Sequence, residues 1–242
     1  MQLKNKRIVI TGGTSGIGRE LVKSLAGEND VIVIGRSHTK LAELSEQFDV
    51  KTYRADLSDL KAMEIVASEI ANDHPSLDLL INNAAVQYTP RLTDPTFEYE
   101  SIQKEVTINF TSICCLTSLL LPSLKASPQA MILNVNSGLG LMPKTTSAVY
   151  CATKGALNSF TRSLRYQLEE TNISVFQALM PLVDTNMTDG RGQNKLSSVD
   201  AANRLIRGIE QNIEEHDIGK VKLLRYLMRV SPRAAAYLMK RA

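Results

Sequence analysis

A glycine-rich stretch near the start of the chain, Thr11-Gly-Gly-Thr-Ser-Gly-Ile-Gly18, follows the apolar run Arg7–Thr11 and opens a helical pattern that extends to about Gly27. Glycine permits the sharp turn and the close backbone approach that a strand needs where it passes directly into a helix. The unpaired N–H groups and partial positive charge of the helix N-terminus attract a phosphate. We therefore expect this turn to hold a phosphate-bearing ligand, with a purely structural turn as the alternative.

The same strand-to-helix pattern recurs through most of the chain. Strand-like runs, separated by helical patterns, occur at Arg7–Thr11, Val31–Gly35, Lys51–Ala55, Leu77–Asn82, Ala130–Asn136 and Ile173–Leu179. Continuous Val, Ile and Leu runs indicate strands that helices cover on both faces. Repeated βα units form right-handed crossovers. The sequence therefore predicts an α/β fold, a single-domain Rossmann-type doubly wound parallel sheet flanked by helices, with little strand-like sequence after residue 180.

We expect one domain over residues 1–242, because no Pro/Gly/Ser-rich linker separates two compact patterns. Residues 6–190 form its core and carry the motifs described below. The polar segment 184–198 follows the sixth strand, and its composition predicts a mobile loop beside the substrate. Residues 219–242 form a basic, amphipathic C-terminal extension.

Composition and charge exclude several classes of protein. The 43% hydrophobic and 22% charged fractions argue against a disordered chain, and a net charge of +3 is too weak to indicate nucleic-acid binding. Three cysteines, two of them adjacent, form no disulfide framework, and we expect neither a membrane span nor a signal peptide. The expected location is cytoplasmic. His38, His74 and His216 lie far apart in polar sequence, so we expect surface histidines and no metal site.

Several further motifs follow the later strands in a characteristic order. They are Asp56-Leu57, Asn82-Asn83-Ala84-Ala85, Asn109 within a helical stretch, Ser137, Tyr150-x-x-x-Lys154 and Met180-Pro-Leu-Val-Asp-Thr185. Together with the Gly-x-x-x-Gly-x-Gly turn, their order and spacing over residues 6 to about 190 resemble the short-chain dehydrogenase/reductase family. The chain departs from the family pattern at Ala85 and Leu182, where glycine is usual.

The resemblance implies an oxidoreductase that interconverts a carbonyl and a secondary alcohol by means of a nicotinamide dinucleotide. Tyr150 would be the acid/base, and the ammonium of Lys154 would lower the tyrosine pKa and bind the nicotinamide ribose. Ser137 would hold the substrate oxygen, and Asn109 would complete a water-mediated proton path to the lysine. The cofactor-binding residues that the resemblance implies are Gly12, Thr14, Ser15, Gly16, Ile17, Gly18, Arg36, Asp56, Leu57, Asn83, Ala84, Tyr150, Lys154, Pro181, Val183 and Thr185.

Each of these residues also has a plain structural alternative. Asp56 could be a helix N-cap, a role that Ser58 or Asp59 could also fill. Ser137 could be a turn residue at a strand end, and Asn109 could bend or cap a helix. A catalytically silent dinucleotide-binding regulatory or scaffold protein is the alternative function, and the retention of the Tyr150–Lys154 pair argues against it.

The end of the second strand bears on the choice of cofactor. Gly35 stands where NAD-preferring relatives carry an acidic residue, and Arg36 follows as in relatives that prefer NADP. A guanidinium pairs with a ribose 2′-phosphate, whereas a carboxylate would repel it. The resemblance therefore favours NADP(H), with NAD(H) as the alternative and an exposed surface cation as the structural reading of Arg36.

The expected partners are a small carbonyl or alcohol substrate and further copies of the same chain. The resemblance implies a homodimer or homotetramer built on the helices around Glu98–Lys125 and Tyr150–Glu170. No cluster of charged residues in the sequence indicates a phosphate or carboxylate substrate.

The basic segment Gly219–Ala242 forms two predicted helices, because Ser231-Pro232 would end one and begin the next. Lys222, Arg225 and Arg229 form one stripe of the first helix. Three roles remain open: packing on the protein body, covering a substrate pocket of its own or a neighbouring subunit, and peripheral contact with an anionic membrane.

Overall fold

The computed structural model describes residues 2–241, so Met1 and Ala242, the ends of the predicted domain and extension, lie outside the described residues. One parallel sheet with the strand order β3-β2-β1-β4-β5-β6-β7 organises the chain. The strands are β1 (Arg7–Thr11), β2 (Asp30–Gly35), β3 (Lys51–Arg54), β4 (Leu79–Asn82), β5 (Ala130–Ser137), β6 (Ile173–Met180) and β7 (Glu215–Asp217). The order runs outward from β1 in both directions, which confirms the doubly wound prediction.

Helices connect the strands and cover both faces of the sheet. They are α1 (Gly16–Leu25), α2 (His38–Phe48), α3 (Leu60–Asp73), α4 (Glu100–Val106), α5 (Ser112–Lys125), α6 (Ala148–Gln167), α7 (Ser198–Glu210), α8 (Lys220–Val230) and α9 (Pro232–Lys240). A π-helical turn, Thr107–Thr111, joins α4 to α5. The predicted break between the last two helices is confirmed, because the Ser231 hydroxyl accepts a hydrogen bond from Ala234 N and Pro232 begins α9.

The core lies in two apolar layers because successive residues of a strand point to opposite faces of the sheet. Ile8 and Ile10 of β1 belong to the layer that α1, α2 and α7 cover. Val9 between them belongs to the layer that α3, α5 and α6 cover. The arrangement explains why the strands are continuous apolar runs rather than alternating ones.

The sequence did not indicate strand β7, and the expectation that His74 lies on the surface is wrong. Strand β7, Glu215–Asp217, pairs with β6 although its three residues are polar. It is a short edge strand, and the side chain of Glu215 accepts hydrogen bonds from Arg165 and Gln177. His74 is buried, with 2% of its surface exposed, rather than on the surface. It packs edge to face against Tyr53, and burial is the largest cause of its lowered pKa.

One helical run is long and apolar enough to span a membrane by length and composition alone, contrary to the sequence-based expectation. The run is Glu100–Lys125, with a mean hydropathy of 1.5 over its most apolar window. Leu116, Leu120 and Leu124 on its second half pack into the core layer beside α3. In this structure the run therefore makes the contacts of a helix that covers one face of the sheet.

Candidate active site

The glycine turn after β1 is fixed against the end of β4. Gly12 has a φ of +69° and Gly16 a φ of +53°, which L side chains rarely adopt. The Asn83 amide Nδ2 donates to the carbonyls of Thr11 at 3.0 Å and Gly12 at 3.3 Å. A Cβ on Gly18 would lie 2.2 Å from the Gly12 carbonyl oxygen. Asn83 and Gly18 therefore both set the shape of the turn.

The turn and its neighbours fit a dinucleotide phosphate. Ser15, the N-cap of α1, makes no side-chain capping hydrogen bond, and the first turn of the helix has no acidic residue. The N–H groups of that turn can therefore bind an anion. The loops after β4 and β6 converge on the same place, because a Cβ on Gly12 would lie 2.9 Å from Ala84 Cα and one on Gly16 would lie 3.0 Å from Thr185 Cγ2.

Other predicted cofactor residues differ in what their side chains can do. The Leu57 and Val183 side chains are buried in the apolar layers, so their backbones are the parts available to a ligand, whereas the Ile17 side chain is only partly buried. Thr14 lies beside Gly35, where a Cβ would be 3.2 Å from the threonine Cγ2. Pro181 follows β6 at the carboxyl edge of the sheet.

Arg36 and Asp56 follow β2 and β3 at the outer part of this edge. The Asp56 carboxylate accepts hydrogen bonds from the Ser58 N at 2.9 Å and hydroxyl at 2.8 Å. These bonds, the backbone one foremost, hold the pKa of Asp56 below its usual range, and the charge of Arg36 acts in the same direction. Asp59 caps α3 by accepting from Lys61 N and Ala62 N. The N-cap alternative for Asp56 is therefore excluded.

The structure brings Ser137, Tyr150 and Lys154 together. Ser137 ends β5, and the other two residues lie one helical turn apart on α6. The Ser137 hydroxyl lies close enough to the Tyr150 phenol for an interaction that lowers the phenol pKa. The Lys154 ammonium donates to the Val135 carbonyl at 3.0 Å and lies 5.7 Å from the centroid of the Tyr150 ring. A serine hydroxyl, a phenol and a buried cation thus occupy one site.

The pKa values of this group follow from burial. Burial raises the pKa of Tyr150 above its usual range, and the largest opposing influence is the neighbouring Ser137 hydroxyl. Burial also lowers the pKa of Lys154 to about 8. The lowering of the Tyr150 pKa by Lys154 stays a prediction; in this structure the ammonium donates to the Val135 carbonyl.

Asn109 lies in the π-helical turn, which the sequence did not predict. Its Oδ1 accepts from Val86 N and its Nδ2 donates to Val86 O, both at 2.8 Å. Nδ2 also lies 3.3 Å from the Thr153 hydroxyl of α6. The side chain therefore fixes the loop after β4 against the helix that carries Tyr150. The predicted proton path through Asn109 stays a prediction.

Glu105 is a buried carboxyl that the sequence analysis did not single out. It lies one helical turn before Asn109, is 2% exposed, and accepts a hydrogen bond from Tyr88 N at 3.0 Å. Burial raises its pKa to about 7, and its charge further raises the pKa of Tyr150. The only sequence signal was its spacing from Asn109, which places both side chains on one helix face.

We expect Glu105→Gln to change how stability depends on pH. The pKa of Glu105 rises from 4.5 to about 7 on folding, so between these values the folded protein retains a proton that the unfolded chain loses. Ionising this carboxyl therefore destabilises the folded protein as pH rises from about 5 to about 8, by on the order of 3 kcal/mol. Glutamine keeps the acceptor for Tyr88 N and removes this dependence.

Urea unfolding across that pH range measures the effect, with the exposed Glu100→Gln on the same helix as control. The difference between wild type and Glu105→Gln should grow with pH, while the control difference stays flat. Parallel pH profiles for wild type and Glu105→Gln would contradict the assignment.

Two cations that the sequence did not single out, Lys144 and Arg191, lie near Cys151 and Tyr150 of α6. Lys144 belongs to the loop after β5 and Arg191 to the loop after β6. Burial is the largest cause of the lowered pKa of each cation. The charge of Lys144 in turn lowers the pKa of Cys151, and the charge of Arg191 lowers the pKa of Tyr150. Their convergence depends on loop conformation, which the spacing of the two residues along the chain does not reveal.

The segment 184–198 and the C-terminal helices border the same site. Asp184 N donates to Leu196 O at 2.8 Å, which joins the two ends of the segment. The predicted mobility of the segment stays a prediction. A Cβ on Gly138, directly after Ser137, would lie 3.1 Å from Val221 Cγ2 of α8. The Thr145 hydroxyl donates to the Lys240 carbonyl of α9.

Within residues 2–241, no group of His, Cys, Asp and Glu could hold a metal ion.

Comparisons by sequence and by structure match this chain to dehydrogenases and oxidoreductases. A family model described as short chain dehydrogenase matches residues 6–196. The uncharacterized oxidoreductase DltE of Bacillus subtilis (strain 168) is 34% identical over 233 residues, or 93% of this chain and 92% of that protein. A short chain dehydrogenase from Burkholderia cenocepacia J2315 in complex with NADP has a TM-score of 0.89 over 99% of both chains at 21% identity. A short chain dehydrogenase/reductase from Burkholderia phymatum in complex with NAD has a TM-score of 0.84 over 95% of this chain and 96% of the other, at 19% identity.

Proposed function

This chain belongs to the short-chain dehydrogenase/reductase family of oxidoreductases, and we propose that it interconverts a carbonyl and a secondary alcohol with NADP(H). The observation that carries the proposal is the position of the Ser137 hydroxyl beside the Tyr150 phenol, with Lys154 one turn further along α6. A hydroxyl, a phenol and a cation in one buried site are the groups needed to bind a carbonyl oxygen and to protonate it.

When bound, the dinucleotide supplies the hydride in reduction and accepts it in oxidation. Gly12, Gly16 and Gly18 would let the turn after β1 approach its pyrophosphate, and the first turn of α1 would bind the phosphate oxygens. Lys154, one helical turn from Tyr150, would bind the nicotinamide ribose.

Tyr150 is the proton donor in the direction of reduction. Ser137 holds the carbonyl oxygen through a hydrogen bond, and the phenol of Tyr150 transfers its proton to that oxygen. Because burial disfavours the phenolate, positive charge and hydrogen bonds must stabilise the tyrosine after it loses the proton. Ser137 and Arg191 already lower the pKa of Tyr150. Lys154 would add to this effect by turning its ammonium from the Val135 carbonyl toward the phenol.

A panel of ketones and quinones tests the activity through NADPH oxidation, measured beside NADPH binding. Turnover on at least one carbonyl compound is the expected result. NADPH binding without turnover on any member would favour the catalytically silent regulatory or scaffold protein instead.

We expect Arg36→Ala to lower the preference for NADP(H) over NAD(H) by about tenfold or more, since a charge-assisted pair with a phosphate is lost. The structure supports this role because Arg36 is exposed at the carboxyl end of β2, with Gly35 rather than a carboxylate before it. The ratio of kcat/KM for the two cofactors is the measurement, and Lys61→Ala, an exposed cation of α3, is the control. An unchanged ratio in Arg36→Ala, or a wild type that prefers NAD(H), would remove the assignment.

A homodimer or homotetramer through the helices around Glu98–Lys125 and Tyr150–Glu170 is part of the proposal. Val106, Leu119 and Tyr166 on these helices are exposed apolar residues, which supports an interface there. Light scattering would show a mass of two or four chains.

The cytoplasmic location stays a prediction from the sequence.

A further inference from the structure

The C-terminal helix pair, α8 with α9, concentrates the positive charge of the protein. Seven Lys and Arg residues and no Asp or Glu follow Asp217. Because the whole chain has 28 basic and 25 acidic residues with a net charge of +3, the residues up to Asp217 carry a net charge of −4. The molecule is therefore electrically polar, with one basic end, and such a charge distribution orients a protein in the field of an anionic partner.

Arg225 is the one basic residue of this pair that forms an ion pair within the described residues. Its guanidinium bonds to the Asp217 carboxylate of β7 and holds α8 against the sheet edge. The other six cations form none with the described carboxylates: Lys220, Lys222, Arg229, Arg233, Lys240 and Arg241. They are exposed and available to an external anion.

The circumference of α8 has three sectors: a buried apolar one, a basic one and an exposed apolar one. An ordinary amphipathic surface helix has two, one apolar and one polar. Val221 and Leu224 are buried against the protein body. Lys222 and Arg229 lie on a basic stripe beside this buried sector. An exposed apolar stripe, Leu223, Tyr226 and Val230, follows on the other side with spacing i, i+3 and i+7, and its members are 67%, 65% and 64% exposed.

Helix α9 extends this surface. Tyr237 and Leu238 are 58% and 56% exposed, and the Arg241 guanidinium stacks on the Tyr237 ring at 4.1 Å. Tyrosine and arginine each combine an apolar body with a polar end, which suits them to the boundary between water and lipid. Five large apolar side chains thus remain in water next to six cations that form no ion pair with carboxylates of residues 2–241.

We propose that the C-terminal helix pair docks on an anionic phospholipid membrane, with the exposed apolar stripe of α8 in the headgroup region and the flanking cations on the lipid phosphates. A short helix with apolar side chains on one sector and basic ones beside it lies in the plane of such a surface. A symmetric contact with a second copy would place the same basic residues against each other. The charge therefore favours the membrane.

Sedimentation of the full chain with lipid vesicles tests the docking. We expect binding to vesicles of phosphatidylcholine with about a third phosphatidylglycerol, little binding to phosphatidylcholine alone, and release at high salt. The variant Leu223→Ser/Tyr226→Ser/Val230→Ser should lower the partition coefficient at least about tenfold by removing the apolar contact. Lys222→Gln/Arg229→Gln should lower it by a similar factor and weaken its salt dependence.

The matched control is Ile65→Ser/Leu92→Ser/Val199→Ser, which removes three exposed apolar residues elsewhere and should leave vesicle binding unchanged. Circular dichroism and NADPH binding confirm that each variant is folded. Equal binding to neutral and anionic vesicles, or no loss in the α8 variants, would overturn the proposal. A fall in the light-scattering mass of the α8 apolar variant, without any vesicle binding by the wild type, would assign the surface to a second copy instead.

Discussion

Tyr150→Phe should reduce kcat by about 10²- to 10⁴-fold, the range that a lost general acid produces. The phenol lies beside the Ser137 hydroxyl and is the proton donor placed at the proposed carbonyl site. Phenylalanine keeps the ring beside the Lys154 ammonium and removes only the hydroxyl. The dissociation constant for NADPH should therefore stay within about a factor of three of wild type, because the turn after β1 is untouched.

Steady-state kinetics with the best carbonyl substrate and a separate NADPH titration measure these two effects. Tyr166→Phe is the matched control, because Tyr166 lies on the same helix but is 73% exposed. Its kcat should equal that of wild type. A Tyr150→Phe variant with wild-type kcat would remove Tyr150 from the mechanism.

Gly18→Ala should weaken NADPH binding by at least about tenfold, which corresponds to about 1.4 kcal/mol of binding free energy. An added Cβ would lie 2.2 Å from the Gly12 carbonyl oxygen and 2.6 Å from Asn83 Nδ2. Both groups belong to the hydrogen bonds that hold the turn against β4. Relieving the clash must move the turn away from the N-terminus of α1, where the phosphate would bind.

Thermal unfolding with and without NADPH measures this loss. A ligand that binds only the folded state stabilises it by RT ln(1 + L/Kd), where L is the free ligand concentration, so a larger dissociation constant gives a smaller rise in unfolding temperature. Gly27→Ala is the matched control, since a Cβ there meets nothing within 4 Å. We expect a full NADPH-induced shift in the control and a much smaller one in Gly18→Ala. Equal shifts in the two variants would place the dinucleotide elsewhere.

The sheet was predictable because its central strands are buried on both faces and so appear as continuous apolar runs. Strand β7 was not, since it is three polar residues at an edge, held by side-chain bonds to Glu215. His74 lies in polar sequence, but its burial follows from packing against Tyr53 of the neighbouring strand β3. Such contacts are tertiary and leave no local pattern.

The sequence predicted which residues come together in the candidate active site, but not the orientation of each side chain. Tyr150 and Lys154 share a helix face by their spacing, and Ser137 ends a central strand that leads to them. The sequence did not predict the direction of the Lys154 ammonium, which donates to the Val135 carbonyl. The π-helical turn at Asn109 also went unpredicted. These details depend on how β5, α5 and α6 pack, rather than on the motif alone.

Deuterium transfer from NADPH, labelled at C4 of the nicotinamide, to the carbonyl carbon of a ketone tests the proposed reaction most directly. Mass spectrometry of the product alcohol should find one deuterium on the carbinol carbon from one of the two C4-labelled epimers and none from the other. Tyr150→Phe should form almost no alcohol while still binding NADPH. An NADPH-binding wild-type protein that yields no labelled alcohol from any ketone of the panel would contradict the proposed reaction.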